Sequence, residues 1–199
     1  MRKRTPKYNS QASIYKTLIL EKLALISACK NNERAAQKEL YDNYSSYILG
    51  ICMRYLKKRD EAEDAMIQSF FRIMNNIQSY SGSGSFEGWM RRIAINECLM
   101  AIRKKKMLMV DIDDAKKLEY TEVSIVELLE YQELLQILDQ LPNGYRTVFN
   151  LYVIEGYKHR EIAEKLNISI NTSKSQLILA KKRLVEILSK KKQHIQYRS

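Results

Sequence analysis

Glycine and proline are scarce in this chain, which holds 6 Gly and 2 Pro among 199 residues. Average usage is about 7% for glycine and about 5% for proline, so collagen-like, glycine-loop-rich and linker-dominated chains are excluded. No internal repeat of about 20 to 50 residues occurs, and no polar and apolar alternation indicates strands. The sequence therefore predicts an all-α fold in which helices carry most of the length.

Features of membrane-spanning, exported and metal-binding proteins are also missing. The longest mostly apolar runs, such as residues 47–53, are far shorter than the ~18 residues that a membrane span needs. The N-terminus is basic but leads into no apolar signal core. The 3 cysteines, Cys29, Cys52 and Cys98, have no C-x-x-C spacing and indicate neither a disulfide framework nor a zinc site. We expect a cytoplasmic protein without membrane insertion, whose cysteines are reduced core residues.

Little in the sequence suggests catalysis. The chain has 2 histidines, His159 and His194, and their spacing is not that of metal ligands. It has no glycine pattern of a nucleotide-binding loop, and no candidate nucleophile lies near a base in the sequence. We therefore expect no enzyme activity, no catalytic residue, no cofactor and no bound metal.

Positive charge is abundant, with 34 Lys and Arg against 23 Asp and Glu and a net charge of +11. Both ends are polycations that could add nonspecific DNA affinity. Residues 111–140 hold nine acids against two lysines. This change of composition, together with the loss of helical period after the basic run 103–106, places an interdomain linker at residues 107–124.

Apolar residues recur at helical spacing in the first half of the chain and predict amphipathic helices. One stripe runs from Tyr44 to Tyr55 and the next from Ala62 to Ile77. Asp60 is the expected N-cap of the second helix. A polar loop over residues 79–88 interrupts the pattern before a third helix restarts at Trp89.

The second half contains the spacing of a helix-turn-helix, over residues 159–188. A preceding stripe, residues 125–141, is ended by Pro142, which cannot continue a helix. In the turn, Asn167 can take the left-handed conformation usually given to glycine. The expected wedge between the two helices consists of Ile162, Leu166, Ile168 and Leu177, and Ala163 is small where the second helix must approach closely. Outward polar side chains of the second helix suit base edges and phosphates, although a solvated polar helix would have similar residues.

Two blocks of sequence resemble a known family. Residues 138–150, 155–163 and 172–177 look like region 4 of the extracytoplasmic-function (ECF) sigma factors of bacterial RNA polymerase. Residues 60–64, with Phe70 and Arg72, and residues 85–96, ending at Arg103, are similar to region 2 of that family. Ile67, Gln68 and Met100 depart from residues common in the family.

The resemblance implies two small helical domains joined by a flexible linker. Region 2, a helical bundle, would span residues 25–106 and region 4, with the helix-turn-helix, residues 125–192, on either side of the linker at 107–124. A basic tail and helix start (1–24) would precede them, and a second basic tail (193–199) would follow. The implied function is to bind core RNA polymerase and direct promoter recognition, melting and transcription initiation. An anti-sigma factor is a further implied partner, and the apolar segment 107–110 could contact it or the polymerase, or simply tether the domains.

The resemblance also assigns candidate residues to each partner. The set expected to bind core polymerase is Glu61, Asp64, Gln68, Phe71 and Arg72. The set expected to bind the minus-ten promoter element is Ser83, Phe86, Trp89, Arg91, Arg92, Asn96, Arg103 and Lys104. The set expected to bind the minus-thirty-five element is Arg146, Arg160, Asn171, Thr172, Ser173, Lys174, Ser175, Gln176 and Lys181.

Other interpretations of these residues stay open at the level of sequence. Glu61 could be a solvated residue of an acidic first turn, and Trp89 could be a core residue, since its spacing with Ile93 is that of a buried stripe. The whole chain could instead be a stand-alone helix-turn-helix regulator with a helical sensor domain. Such a regulator would bind its operator tightly without polymerase.

Overall fold

The computed structural model describes residues 9–108 and 131–196, with side chains described for 13–104 and 133–190. Within these ranges the chain is helical and contains no strand. The helices are α1 (Asn9–Lys30), α2 (Arg34–Tyr55), α3 (Arg59–Asn76), α4 (Phe86–Leu108), α5 (Tyr131–Asp139), α6 (Asn143–Phe149), α7 (His159–Leu166) and α8 (Ile170–Gln196). The predicted all-α class is confirmed. The predicted linker lies almost entirely outside the described residues, as do residues 1–8, 197–199 and the first part, 125–130, of the predicted stripe 125–141.

Helices α1 to α4 form an N-terminal bundle. α3 packs against both α2 and α4, and α1 packs along α2. The core contains side chains that are fully shielded from solvent, among them Leu40, Ile48, Ile73, Met90 and Ile95. Cys29, Cys52 and Cys98 are buried free thiols in the same core, as predicted. The expected start of region 2 at residue 25 falls within α1.

The start of α3 differs from the prediction. Lys58 is the N-cap and the helix begins at Arg59, so Asp60 lies in the first turn. Asp60 and Glu61 still lie near the positive end of the helix dipole, which favours carboxylates there. The capping prediction for Asp60 was wrong because sequence alone does not place a helix end to within one or two residues.

Helices α5 to α8 form a C-terminal domain. Pro142 precedes α6, and the chain leaves α6 through a π-helical turn, Asn150–Ile154, before α7. The turn between α7 and α8 contains Asn167 with φ of 52°, in the left-handed conformation predicted for it. Ile162, Ala163 and Leu177 are buried between the two helices. The helix-turn-helix is therefore built as the sequence indicates.

The two domains contact each other directly at the C-terminal end of α2. Arg146 of α6 donates to the carbonyls of Met53 and Arg54, at 2.5 and 2.7 Å. Asn150 donates to the same Arg54 carbonyl at 2.6 Å, and Arg54 in turn forms an ion pair with Glu155 at 2.8 Å. We refer to these five residues as the domain junction.

Candidate DNA and polymerase interfaces

The residues predicted to bind core polymerase share one face of α3. Glu61, Asp64, Gln68 and Phe71 follow one another at spacings of three or four residues, which places them on the same side of a helix. Phe71 is 64% exposed, and Ile67, on the same face, is also exposed. Exposed apolar side chains rimmed by polar ones are typical of a protein-binding surface.

One more residue extends this face and was missed from the sequence. Tyr41 of α2 is exposed, and its ring lies 4.9 Å from that of Phe70, so it borders the α3 face. Tyr41 lies one helical turn before the stripe that begins at Tyr44, so its spacing did not separate it from core residues. We call Tyr41, Glu61, Asp64, Ile67, Gln68 and Phe71 the α3 face.

Arg72 lies at the edge of this face and bridges α3 to α4. It pairs with Glu97 at 2.6 Å, and the Glu97 side chain is nearly buried. Burial raises the pKa of Glu97, and the charge of Arg72 opposes that rise. Arg72 is thus partly engaged within the bundle, although more than half of its side chain is exposed.

A groove of about 400 Å³ opens between α3 and α4. It is lined by Arg72, Asn76, Ser79, Trp89, Ile93, Asn96, Glu97 and Met100. The members from α4 include Trp89, Ile93, Asn96 and Met100, the stripe that predicted the third helix. This stripe therefore faces an open groove rather than only the core, and the sequence pattern alone could not distinguish the two.

The loop before α4 rests on an aromatic cluster. The rings of Phe86 and Trp89 are stacked with centroids 5.6 Å apart, and Tyr80 lies 5.1 Å from Phe86. Phe86 is only 2% exposed, which corrects its predicted role: it cannot contact a base from this position. Its ring instead supports Trp89, which is partly exposed.

The loop itself is shaped by glycine. Gly82 and Gly84 both have φ of 81°, a conformation that costs side-chain-bearing residues energy. The Tyr80 hydroxyl donates to the Gly84 carbonyl at 2.8 Å and closes the loop. Ser83 stands exposed between the two glycines, as its predicted role requires.

The polar side chains of α4 divide into two groups. Arg92, Asn96 and Lys104 are exposed. Arg91 donates to the Tyr47 hydroxyl at 3.1 Å and lies 3.5 Å from Glu155, while Arg103 donates to the Lys165 carbonyl at 2.8 Å. Two residues predicted to bind DNA therefore contact the C-terminal domain.

Helix α8 presents most of its predicted residues to solvent. Asn171 and Lys174 are exposed, and Ser175, Gln176 and Lys181 are partly exposed. The Gln176 amide leans over Gly144, where an added Cβ would lie 3.1 Å from its nitrogen. Arg160, on α7, is exposed and paired with Glu164.

The first turn of α8 is fixed by hydroxyl groups. Ser169 accepts from the Thr172 amide at 2.9 Å, and the two hydroxyls are 2.8 Å apart, so Thr172 is partly committed to the helix end. Ser173 is fully buried, with its hydroxyl 2.9 Å from His159 Nδ1, which corrects its predicted DNA contact. Burial, aided by Lys174, lowers the pKa of His159.

Arg146 also differs from its prediction as a DNA-backbone contact. Its side chain has no exposed surface, and its donors serve the junction carbonyls and Asp139. Burial lowers the pKa of its guanidinium, and Asp139 opposes that change. The two carbonyls lie in the other domain, so no local pattern around residue 146 could reveal the burial of its side chain.

The described residues lack two features that other functions would need. In residues 9–108 and 131–196, no group of three or more His, Cys, Asp or Glu side chains is arranged to hold a metal ion. Over the same ranges, no helix has the length and apolar character needed to cross a membrane.

Comparison with protein families identifies both halves of the chain. Residues 40–107 match the family model described as Sigma-70 region 2, and residues 131–184 match Sigma-70, region 4. A solved structure of the sigma factor RpoE with the anti-sigma factor NepR from Bartonella quintana covers 76% of this chain and 96% of its own, with 20% identity and a TM-score of 0.47.

Curated relatives match over most of their length. The ECF RNA polymerase sigma factor SigW of Bacillus subtilis is 31% identical over 165 residues, which are 76% of this chain and 88% of the relative. The ECF RNA polymerase sigma factor SigM of the same organism is 28% identical over 149 residues, covering 73% and 91%. The chain belongs to the family of ECF RNA polymerase sigma factors.

Proposed function

We propose that this chain binds core RNA polymerase in the bacterial cytoplasm and directs it to promoters. The observation that carries this proposal is the pairing, in one chain, of an exposed apolar and acidic face on α3 with an exposed polar face on α8. The first suits a protein partner and the second suits DNA. RNA synthesis itself is assigned to the polymerase.

The α3 face is the proposed polymerase contact. Phe71 and Ile67 offer apolar surface whose burial favours association, at roughly 25 cal/mol per Å² before the costs of binding. Asp64, at the rim, would set orientation against a basic partner surface. Arg72 would contribute through its exposed part.

The groove between α3 and α4 is the proposed contact for the minus-ten element. Promoter melting needs preferential binding to unstacked bases, which aromatic side chains beside cations provide. Trp89 and Asn96 line this groove, Arg92 is exposed nearby on α4, and Ser83 lies in the adjoining loop. Arg91, Arg103 and Lys104 are proposed phosphate contacts.

Helix α8 is the proposed reader of the minus-thirty-five element. Asn171, Lys174, Ser175 and Gln176 would contact bases or phosphates in a major groove, with Lys181 further along the helix. Arg160, on α7, would contact the DNA backbone. The Thr172 hydroxyl would contact DNA while it keeps its hydrogen bond with the Ser169 hydroxyl.

A reconstituted run-off assay tests this function. The chain is mixed with sigma-free core polymerase from its host and a library of genomic promoters, and DNA binding by the chain alone is the control. Promoter-specific starts that need both components are expected. Tight operator binding by the chain alone, without new starts, would instead support a stand-alone regulator, which the family match of the N-terminal half does not favour.

An anti-sigma factor is proposed as a further partner on the family resemblance. Affinity purification of the chain from cells before and after envelope or oxidative stress should recover a second bound protein. That protein should dissociate from the chain as promoter activity rises. Recovery with polymerase alone under every condition would contradict this part of the proposal.

A further inference from the structure

The loop that precedes α4, residues 80–85, stands open to solvent. We call it the α4 loop. All of its residues except Tyr80 are exposed, and a Cβ added at Gly82 or Gly84 would meet no atom beyond its chain neighbours within 4 Å. Inside the loop, the Tyr80 hydroxyl donates to the Gly84 carbonyl. The position of so open a loop on the bundle therefore depends on the contacts that hold its two ends.

Helix α1 holds the first end of the α4 loop by hydrogen bonds. The Lys30 ammonium donates to the Tyr80 carbonyl at 2.8 Å. The Gln78 side-chain amide, in a 3-10 turn over Ile77–Ser79 just before the loop, donates to the Lys30 carbonyl at 2.5 Å. Lys30 thus contacts this end of the loop through both its side chain and its backbone.

The same helix holds the second end of the loop by an ion pair. The Lys22 ammonium lies 2.5 Å from Glu87 Oε1, in the first turn of α4, and the Tyr44 hydroxyl donates to the same oxygen at 3.2 Å. The hydrogen bond with Glu87 raises the pKa of Lys22. Lys22 and Lys30 are separated by roughly two turns of α1, or about 12 Å along its axis, and so lie on nearly the same side of the helix.

These two lysines lie outside the part of the chain that the family comparison matches. Region 2 is matched over residues 40–107, and α1 ends at Lys30. Two cations beside a proposed DNA-binding loop could bind phosphates directly. Both ammonium groups, however, already have acceptors within the bundle, and these acceptors lie at the two ends of one loop. The geometry therefore favours contacts that act through the loop.

We propose that Lys22 and Lys30 are positioning residues that hold the α4 loop in place to receive an unstacked base of the minus-ten element. Lys30 fixes Tyr80, where the loop begins, and Lys22 fixes Glu87, two residues before Trp89. A loop that is held in place before DNA arrives loses less conformational freedom on binding, which favours affinity. The inference rests on the proposed promoter-binding function.

Removing either partner of the ion pair separates positioning from direct contact. K22A and E87A both break the pair, although they change the net charge in opposite directions. We expect each full-length variant to bind a single-stranded minus-ten oligonucleotide at least about fivefold more weakly, which is within what base stacking contributes. Because both changes remove one contact, the double variant should lose little more than either single one. K22R keeps a donor for Glu87 and should bind like the wild type.

Matched controls come from an exposed ion pair of α2, between Lys38 and Asp42 at 3.5 Å. K38A and D42A repeat the two changes of charge away from the loop, so they measure the effect of net charge alone. Weaker binding by K22A together with tighter binding by E87A would mean that Lys22 contacts phosphate directly, and would overturn the proposal. Affinities of K22A and E87A equal to those of their controls would overturn it as well.

An oligonucleotide series with one abasic site at each position measures base capture itself. In the wild type, an abasic site at the position bound beside the loop should lower affinity. In K22A, E87A and K30A this difference between base and abasic site should shrink by about fivefold or more, because a displaced loop gains little from the base. An undiminished difference in all three variants would mean that the lysines do not position the loop for a base.

Hydrogen exchange followed by mass spectrometry tests the loop without DNA or polymerase. Peptides over residues 80–88 should exchange faster in K22A, E87A and K30A than in the wild type, with the rest of the bundle unchanged. Faster exchange throughout the bundle would instead make these residues general stabilisers of the fold. If the wild type gives promoter-specific starts but exchange over residues 80–88 is unchanged in the variants, this inference alone fails. If the wild type gives no such starts, the proposed function fails, whatever the exchange shows.

Discussion

Two buried side chains mark where the predicted DNA interface differs from the structure. Phe86 and Ser173 both fall within predicted DNA-binding segments, yet both are buried. Phe86 supports the Trp89 ring, and Ser173 holds His159, which also stacks on Tyr152 at 4.5 Å. These two residues lie beneath the proposed interfaces and support them. Their replacement should therefore lower the stability of the fold more than it weakens direct contacts with DNA.

Substitutions at Phe86 and Trp89 should separate these roles. F86A should lower the free energy of unfolding by about 3–5 kcal/mol, because it empties a core position. W89A should lower it less and should weaken binding to a single-stranded minus-ten oligonucleotide by about 1–3 kcal/mol. Urea denaturation followed by circular dichroism and oligonucleotide titration measure the two effects. Equal loss of stability in both variants would place Trp89 with the core.

The lowered pKa of His159 should make the stability of the C-terminal domain fall in acid. Its pKa is lowered in the folded chain, so below about pH 6.5 the unfolded chain binds a proton more readily. The stability due to neutral His159 is therefore full above that pH and is lost as pH falls through the folded pKa. Urea midpoints at pH 7.5 and pH 5 should show this fall, and H159Q should reduce it. An unchanged pH slope in H159Q would contradict the assignment.

At the scale of elements, the proposed polymerase contact and the proposed minus-thirty-five contact each centre on one helix. The α3 face combines residues that the sequence predicted with Tyr41, which the fold adds from α2. The α8 face follows from a turn whose geometry was predicted at Asn167. Because each of these two faces centres on one helix, point substitutions can test each face alone.

Charge reversal on the α3 face should weaken polymerase binding. D64K places a cation where an acidic rim is proposed, and we expect the affinity for core polymerase to fall at least about tenfold, or by about 1.4 kcal/mol. Thermal unfolding should change little, since Asp64 is exposed. E186K makes the same change of charge on α8 and serves as the control. Equal affinities of D64K and E186K would remove α3 from the polymerase contact.

Replacement of one side chain on α8 should relax one promoter position. Q176A should cost about 1–3 kcal/mol of discrimination at a single base pair of the minus-thirty-five element. Selection of preferred sequences from a randomised promoter library, transcribed by the holoenzyme, measures this loss. K190A, beyond the proposed contacts, should leave the preference intact. An unaltered preference in Q176A would exclude base reading by that residue.

The whole molecule is held together by contacts that cross the two domains. Arg146 reaches the Arg54 carbonyl across 92 positions of sequence. The buried apolar residues form one continuous cluster, but most of the packing between helices lies within a single domain. Loss of the junction should therefore uncouple the domains rather than unfold both.

Calorimetry of R146A tests this expectation. The variant leaves the α2 carbonyls and Asp139 without their donor. We therefore expect two separate unfolding transitions in R146A, where the wild type shows a single one. R183A removes an exposed arginine of α8 and should leave the wild-type profile unchanged. A single transition shifted to lower temperature in R146A would mean that Arg146 stabilises both domains as one unit.

The sequence predicted what depends on neighbours along the chain. Helical stripes, the stop at Pro142 and the left-handed Asn167 follow from local sterics and hydrogen bonding, and the structure confirms them. The part of the α3 face that lies on α3 itself follows from helical spacing. The burial of Arg146 depends on carbonyls of another domain, and that of Phe86 on rings from Tyr44 and Tyr80. The spacing of apolar residues carries no information on such contacts. Arg146 and Phe86 were therefore wrongly predicted to bind DNA.

The placement of the cysteines gives the chain a built-in chemical reporter. All 3 thiols belong to the N-terminal bundle, where each is buried. The pKa of Cys98 is raised well above its usual range by a hydrogen bond with Cys52 and by burial, so little thiolate is available to an alkylating reagent. Alkylation of the native chain thus proceeds only as fast as the N-terminal bundle opens, and mass spectrometry can time that opening while the C-terminal domain stays silent.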